Sequence, residues 1–233
     1  TQKQKANMAI FNDVVNLWKS DDLLSQAWKE SYNMIRLSNE IFEKAVFFLR
    51  EGGEKTEIKA LKKRDQEINN FQMDVRKKVI THFAVSNDLN HLPNGLVLLN
   101  IVVDIERVGD YTKNILDLAM NHPKKIISDK ISSDLHDIEQ EIIERFNKTI
   151  LALDNQDQDS ALKLLKTYKN NLTSKSDLIV NDCISGKSSF KDTSKTTSVA
   201  LYARYLKRVG AHLKNITTTI VNPFEYIGYK PPS

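Results

Sequence analysis

The sequence predicts an all-α protein made of two similar halves, and three observations lead to this prediction. Apolar residues recur at three- and four-residue steps along most of the chain, which is the spacing of one buried helix face. Only 7 Gly and 5 Pro occur in 233 residues, too few for a turn-rich β fold. A ten-residue stretch near the middle of the chain returns 101 residues later, which indicates a duplicated unit.

The periodicity and the capping signals predict six helices, at about 22–50, 54–85, 94–121, 132–154, 158–185 and 196–221. Asp21 or Asp22 would cap the first helix, and Gly52 with Gly53 would end it. This first helix has the clearest inner face, because its apolar and small residues alternate four- and three-residue steps, as in a bundle seam: Leu24, Trp28, Ser31, Ile35, Ser38, Phe42, Ala45 and Leu49.

The segments outside the two halves carry separate expectations. Residues 9–19 are dense in large apolar groups, which favours a short helix capping the end of the bundle. An anchor against a membrane or a membrane partner is the alternative for this segment. The linker 122–131 contains Pro123 and joins the halves. After Pro223 we expect three aromatic side chains to fold back on the helices: Phe224, Tyr226 and Tyr229.

Composition and motifs exclude several classes of function. The net charge is only +4 and basic residues alternate with acidic ones, which disfavours nucleic-acid binding. The lone Cys183 rules out an internal disulfide and suits a reducing cytosol. No run of about 18 apolar residues indicates a membrane span. A P-loop, H-E-x-x-H, G-x-S-x-G and the Glu-x-x-His pairs of ferritin-like proteins are all absent, so the sequence shows no catalytic machinery.

The duplicated stretch carries the most informative residues. Residues 106–115 read ERVGDYTKNI and residues 207–216 read KRVGAHLKNI, with six of ten positions identical. The first copy lies on a helix whose apolar stripe contains Leu98, Val102, Ile105, Gly109, Leu116 and Ala119. An acidic stripe lies beside it, formed by Glu106, Asp110 and Asp117.

Two features of this helix are unfavourable unless they serve a purpose. Glu106 and Asp110 repel each other one turn apart, and Gly109 costs about 1 kcal/mol relative to Ala in a helix interior. Either Gly109 lets another helix approach closely, or the carboxylates hold a metal ion, or both. In the second copy Lys207 and Ala211 replace the two acids.

This stretch resembles the hallmark helix of the PhoU proteins, which regulate phosphate uptake. The matching residues are Ile105, Glu106, Arg107, Val108, Gly109, Asp110, Asn114 and Ile115. The resemblance extends from about residue 22 to residue 221 and implies two tandem antiparallel three-helix bundles, a PhoU-like and spectrin-repeat-like six-helix body. It places the repeats at 21–122 and 131–222, an N-terminal extension or short amphipathic helix at 1–20, and a tail at 223–233.

The resemblance also implies a metal site, because PhoU-like proteins place iron or other transition-metal clusters on such motifs. We expect Fe, Mn or Zn at the first copy only, on Glu106 and Asp110 with Asp65 and Asn69 across the groove. Asn69 stands where the family's D-x-x-I-D pattern has its second acid, which leaves three carboxylates and an amide. Lesser candidates are Glu67, Asp104 and Asp117.

Two further expectations concern the charges around the two copies. A solvated acidic stripe, paired with Lys62, Lys63 and Arg64, is the alternative to a metal site in the first copy. Lys207 would place a positive charge where a metal ion should lie in the second copy. We therefore expect no cluster there, and a pairing of Lys207 with an acid on a neighbour.

The function implied by the resemblance is that of an adaptor. PhoU-like proteins act between a phosphate transporter, ABC or sodium-coupled, and a sensor histidine kinase. The chain would be a non-catalytic regulator of phosphate uptake and intracellular phosphate, located in the cytoplasm and reaching the inner face of the membrane through its partner. A homodimer is left open. The alternatives are a PhoU-like regulatory domain of a sodium–phosphate symporter and a carboxylate-bridged metalloprotein or enzyme.

Overall fold

The computed structural model describes residues 22–86, 89–121, 130–187, 190 and 192–229, and every regular element within these ranges is helical. The α-helices are α1 (Leu23–Glu51), α2 (Lys55–Lys63), α3 (Asp65–Ser86), α4 (Leu92–Asn121), α5 (Lys130–Asn155), α6 (Gln158–Tyr168), α7 (Ser174–Ile184) and α8 (Thr193–Thr218). The all-α prediction is confirmed, with α2–α3 and α6–α7 in the places of the second and fifth predicted helices. The segment 1–20 lies outside the described residues.

The ends of the helices follow their capping residues. Asp22 caps α1, since its Oδ1 accepts a hydrogen bond from the backbone N–H of Ser25 at 2.9 Å. The helix ends at Gly52, whose φ of +82° favours glycine. All eight residues of the predicted seam of α1 are buried. Helix α8 begins earlier than predicted because Asp192 accepts from the N–H groups of Ser194 and Lys195.

The second helix of each half is interrupted opposite the glycine of the repeat. Arg64 separates α2 from α3, and a π-helical turn, Lys169–Thr173, joins α6 to α7. A Cβ built on Gly109 would lie 3.2 Å from Ile68 Cδ1, and one built on Gly210 would lie 2.0 Å from Leu172 Cδ2. The close approach expected at Gly109 is therefore present. Both interruptions lack Gly and Pro, so the sequence predicted unbroken helices here.

The two halves pack against each other through their first and third helices. Helices α1 and α5 run antiparallel, with the rings of Phe42 and Phe146 5.5 Å apart and Arg36 paired with Asp154 at 2.8 Å. Helices α4 and α8, which carry the repeat motif, pack on each other in the same way. The hydrophobic core runs through both halves, and α3 and α7 lie against the helices of their own half. The predicted repeat boundaries stay a prediction.

The C-terminal segment returns to the helices through its backbone. Lys214 donates to the carbonyl of Gly228 at 2.7 Å, and the N–H of Gly228 donates to Thr218 Oγ1 at 2.8 Å. The prediction that all three aromatic residues fold back is wrong for Tyr229, which is 68% exposed. Phe224 and Tyr226 are partly covered, with exposures of 38% and 40%. Among the described residues, no helix is long and apolar enough to cross a membrane.

Candidate functional site

The four predicted metal ligands lie on the facing surfaces of α3 and α4. Asp65 and Asn69 lie on the first two turns of α3, and Glu106 and Asp110 lie one turn apart on α4. The carboxylates are partly buried, with side-chain exposures of 14% for Asp65, 19% for Glu106 and 33% for Asp110. The interruption at Arg64 directly precedes Asp65, so the start of α3 positions this acid.

Lys113 joins the acids of the two helices. Its Nζ lies 2.9 Å from Asp65 Oδ2 and 2.9 Å from Asp110 Oδ1. Burial lowers the pKa of Lys113, but its hydrogen bonds to Asp65 and Asp110 outweigh that effect, so the pKa lies above its ordinary value. The ammonium therefore stays charged and offsets one of the two negative charges that it joins.

One carboxylate oxygen of Asp65 accepts hydrogen bonds, and the other is buried without one in the described part of the chain. Its Oδ2 also accepts from Asn69 Nδ2 at 3.2 Å, so the amide supplies a donor at the position where the family pattern has an acid. Its Oδ1 is buried without a hydrogen-bond partner among the described residues. A Cβ at Gly109 would come within 3.3 Å of this atom, so the glycine leaves room for the carboxylate.

Glu106 and Asp110 have a second cation on their own helix. Arg107 Nη1 lies 3.0 Å from Asp110 Oδ2, and Arg107 Nε lies 3.6 Å from Glu106 Oε2. The pKa of Glu106 is raised, chiefly by burial and then by the negative charge of Asp110, while Arg107 lowers it. The repulsion between Glu106 and Asp110 that the sequence predicted is thus offset by the positive charges of Arg107 and Lys113.

The side chains present do not form a metal site while Lys113 holds its position. In the described part of the chain, no group of three or more His, Cys, Asp or Glu side chains is arranged to hold a metal ion. A cation bound between Asp65 and Asp110 would have to displace the ammonium. The expectation of Fe, Mn or Zn on Glu106, Asp110, Asp65 and Asn69 stays a prediction.

The remaining acidic candidates have other partners. Glu67 pairs with Arg64 at 2.9 Å, and Asp117 pairs with Lys62 at 2.5 Å. Asp104 contacts the second half. It does not belong to the first-copy cluster, which consists of Asp65, Asn69, Glu106, Asp110 and Lys113. Of the cations named in the alternative to a metal site, Lys62 pairs with an acid of the stripe, whereas Arg64 pairs with Glu67 and Glu40 outside it. The side chains that contact Glu106 and Asp110, Arg107 and Lys113, however, lie on α4 itself.

The second copy shows the expected pairing of Lys207. Its Nζ lies 2.6 and 2.7 Å from the two carboxylate oxygens of Asp177, on α7. Lys214, the equivalent of Lys113, lies over the Tyr168 ring, with its Nζ 5.8 Å from the ring centroid. Burial lowers the pKa of Lys214.

A polar cluster between α4 and α8 was not foreseen from the sequence. Asp104 Oδ1 lies 2.7 Å from His212 Nδ1 and accepts from Asn215 Nδ2 at 3.1 Å. Arg208 Nε donates to Tyr111 Oη at 3.1 Å. Four of these five residues belong to the repeat motif, so the repeat itself was the available signal. The cluster fixes the two motif helices on each other.

A buried ionic cluster between α1, α5 and α8 was also missed. Glu139 is fully buried, pairs with Arg50 and accepts from the Tyr202 hydroxyl at 2.6 Å. Burial, followed by the charge of Glu139, raises the pKa of Tyr202 well above its ordinary value. An available signal was the position of Glu139 beside Ile138 and Ile142, on the apolar face of the fourth predicted helix.

Comparison with known proteins finds a family match for the half of the chain that contains the first-copy cluster. The family model described as "PhoU domain" matches residues 32–119. This chain contains a PhoU domain. The PhoU domain includes α2, α3 and most of α1 and α4, and therefore Asp65, Gly109, Asp110 and Lys113.

Two solved PhoU structures share the fold over both halves. The phosphate transport system regulatory protein PhoU from Streptococcus pneumoniae superposes with a TM-score of 0.74 at 15% identity, covering 85% of this chain and 93% of that one. PhoU from Pseudomonas aeruginosa gives a TM-score of 0.68 at 15% identity, covering 91% and 96%. The fold likeness therefore extends beyond the matched PhoU domain. No curated protein matches the sequence.

Proposed function

We propose that this chain is a non-catalytic regulator of phosphate uptake and intracellular phosphate, acting as an adaptor on a phosphate transporter, on its sensor kinase, or on both. The observation that carries the proposal is the PhoU domain at residues 32–119. The fold likeness to two PhoU proteins over most of the chain supports it.

The geometry of the first-copy cluster suits an adaptor better than an enzyme. Its acids are compensated by Lys113 and Arg107, and the space around Gly109 is filled by Ile68, Leu61 and their neighbours, with no room for a water-sized molecule. A catalytic site needs a concave space for its substrate. The charged side chains here join helices, and exposed helix faces remain for a protein partner.

The finer part of the proposal concerns the partner and its location. An adaptor of this kind would work in the cytoplasm and reach the inner face of the membrane by binding the transporter. The transporter is of the ABC or the sodium-coupled class, and the kinase is a sensor histidine kinase. If the chain is part of a longer transporter, it would act as the regulatory domain of a sodium–phosphate symporter.

Uptake of radiolabelled phosphate in the source cells tests the role. Cells lacking the chain should take up more phosphate when it is plentiful, and restoring the chain should return uptake to the parental rate. A strain that lacks both the chain and the phosphate transporter is the control, because restoring the chain there should change nothing. Unchanged uptake in the single deletion would refute the proposal.

The mode of action is tested by stoichiometry and capture. An adaptor should suppress uptake in proportion to its amount until the transporter is saturated, whereas a catalyst acts at substoichiometric levels. The tagged chain should also co-purify from detergent extracts with an ABC or a sodium-coupled phosphate transporter. Full suppression at a small fraction of the transporter's amount would argue for the enzyme alternative.

A further inference from the structure

The motif helix of the first copy supplies its own cation. Lys113 follows Gly109 by one turn, and its ammonium lies 2.9 Å from a carboxylate on α3 and 2.9 Å from a carboxylate on α4. The Lys113 side chain is only 29% exposed, so solvent screens these contacts less than those of a fully exposed pair. A metal ion bridging Asp65 and Asp110 would occupy the same place.

The departure at Asn69 agrees with this arrangement. An acid at position 69 would add a fourth negative charge beside Asp65, Glu106 and Asp110. One ammonium and the more exposed Arg107 could not balance four carboxylates, whereas a divalent cation suits such a set. Asn69 instead donates to Asp65 Oδ2, the same oxygen that Lys113 contacts. Both donors therefore bind the Asp65 oxygen that Lys113 links to Asp110.

The second copy uses the same type of contact. Lys207 on α8 pairs with Asp177 on α7 through both carboxylate oxygens. In each half, therefore, a lysine of the motif helix is paired with an acid on the second helix of that half. The lysines stand at different repeat positions, since Lys207 corresponds to Glu106 and Lys214 to Lys113. The two ionic contacts thus join equivalent helices through different motif positions.

We propose that Lys113 is the built-in cation of the first copy: it joins α3 to α4 without a metal ion and keeps divalent cations from Asp65, Glu106 and Asp110. The proposal is independent of the adaptor role, because an adaptor could work whether α3 and α4 are joined by Lys113 or by a metal ion. It does compete with the Fe, Mn or Zn predicted from the sequence, and the following experiment decides between them.

The experiment compares the parent with Lys113→Met, which keeps the length of the side chain and removes its charge. The parent, purified without chelator, should contain far less than one equivalent of iron, manganese or zinc by mass spectrometry. Its melting temperature should not respond to EDTA or to millimolar Mn²⁺. Lys113→Met should melt lower in EDTA and recover by roughly 5–10 °C when Mn²⁺ is present at about 100 times its dissociation constant.

Two control variants separate the proposed site from general effects of charge. Lys148→Met removes an exposed lysine that pairs with Glu144 on its own helix, so it should leave the Mn²⁺ response unchanged. Adding Asp65→Asn to Lys113→Met should abolish the recovery in Mn²⁺. If Lys113→Met does not fold, Lys113→Arg keeps the cation, and its melting temperature should be insensitive to both EDTA and Mn²⁺.

The outcomes that overturn the proposal are equally definite. Stoichiometric metal in the parent that is lost in a Glu106→Gln/Asp110→Asn double variant would show that a metal holds the site despite Lys113. A parent stabilised by Mn²⁺, or a Lys113→Met variant as stable as the parent in EDTA, would contradict the proposal that Lys113 joins α3 to α4 without a metal ion. A Lys113→Met variant that gains nothing from Mn²⁺ would refute the exclusion of cations.

Discussion

Tyr111 and His212 stand at the same position in the two copies of the repeat, and their rings stack across the junction of α4 and α8 with centroids 5.8 Å apart. Equivalent positions touch each other only close to a two-fold axis, so the two motif helices are related by an approximate two-fold at this point. The surrounding contacts keep this relationship in position but differ in chemistry. Asp104 pairs with His212, whereas the equivalent residues Tyr205 and Tyr111 bring their rings to 6.2 Å from each other.

Asp104→Ala should weaken the junction of the two halves. The substitution removes the acceptor of His212 and Asn215, and the side chains of Asp104 and His212 are only 14% and 11% exposed. Unsatisfied donors at this depth should lower the free energy of unfolding by about 1–3 kcal/mol in urea titrations. Asp74→Ala, which removes an exposed acid on α3, is the control and should change little. Equal effects of the two variants would mean that the Asp104 contacts contribute no stability.

The sequence predicted those features of the fold that depend on residues close together in the chain. The inner face of α1 and its cap at Asp22 follow from residues within one or two turns of each other, and both are confirmed. The interruptions at Arg64 and Lys169–Thr173 were missed because neither segment contains the Gly or Pro that signals a helix break locally. In the fold both lie opposite a motif glycine.

The site was predicted less completely, for a different reason. The repeat identified Gly109 and the acids, and the carboxylates of Asp65 and Asp110 do lie close enough to share one cation. The identity of that cation depends on where a flexible four-carbon side chain ends, which spacing does not determine. The contact between Asp104 and His212 spans more than a hundred residues and depends on how the halves dock.

The two repeat glycines should differ in their tolerance of a methyl group. A Cβ at Gly210 would lie 2.0 Å from Leu172, which is fully buried, whereas a Cβ at Gly109 would lie 3.2 Å from the end of Ile68. Overpacking costs about 1–3 kcal/mol and a Gly to Ala change in a helix gains about 1 kcal/mol. Gly210→Ala should therefore be destabilising and Gly109→Ala close to neutral in chemical denaturation, while Gly109→Leu should cost several kcal/mol.

A double-variant cycle identifies the cause of the Gly210→Ala effect. Leu172→Ala in the parent should cost about 2–5 kcal/mol through the cavity it leaves. The same change in the Gly210→Ala background should cost less, because it also removes the clash. Strict additivity of the two changes would show that Gly210 and Leu172 do not interact.

Tyr202→Phe should destabilise the protein although it keeps the ring. The hydroxyl donates to Glu139 Oε1 at 2.6 Å, and the Tyr202 and Glu139 residues are 1% and 0% exposed. Leaving that oxygen short of one donor should cost about 1–3 kcal/mol in urea titrations. Tyr226→Phe, at a residue that is 40% exposed, is the matched control and should stay within about 0.5 kcal/mol of the parent. A Tyr202→Phe variant as stable as this control would mean that Glu139 does not need the hydroxyl.

Tyr32 should make the stability of the protein sensitive to alkaline pH. Its hydroxyl donates to the carbonyl of Leu153 at 3.1 Å across the junction of α1 and α5. Burial raises the pKa of Tyr32 above its ordinary value, the charge of Asp154 adds to this, and Arg36 opposes it. The folded state therefore keeps the proton at a pH where the unfolded state releases it.

The sign of the effect follows from the raised pKa. The contribution of Tyr32 is fully present below the unfolded pKa of about 10 and declines by up to about 1.4 kcal/mol per pH unit above it. The stability advantage of the parent over Tyr32→Phe should thus be constant between about pH 8 and 9 and shrink toward pH 11. Urea titrations across this range measure this advantage, with Tyr229→Phe, at a residue that is 68% exposed, as the control. An advantage that stays constant to pH 11 would show that the Tyr32 hydroxyl ionises equally in both states.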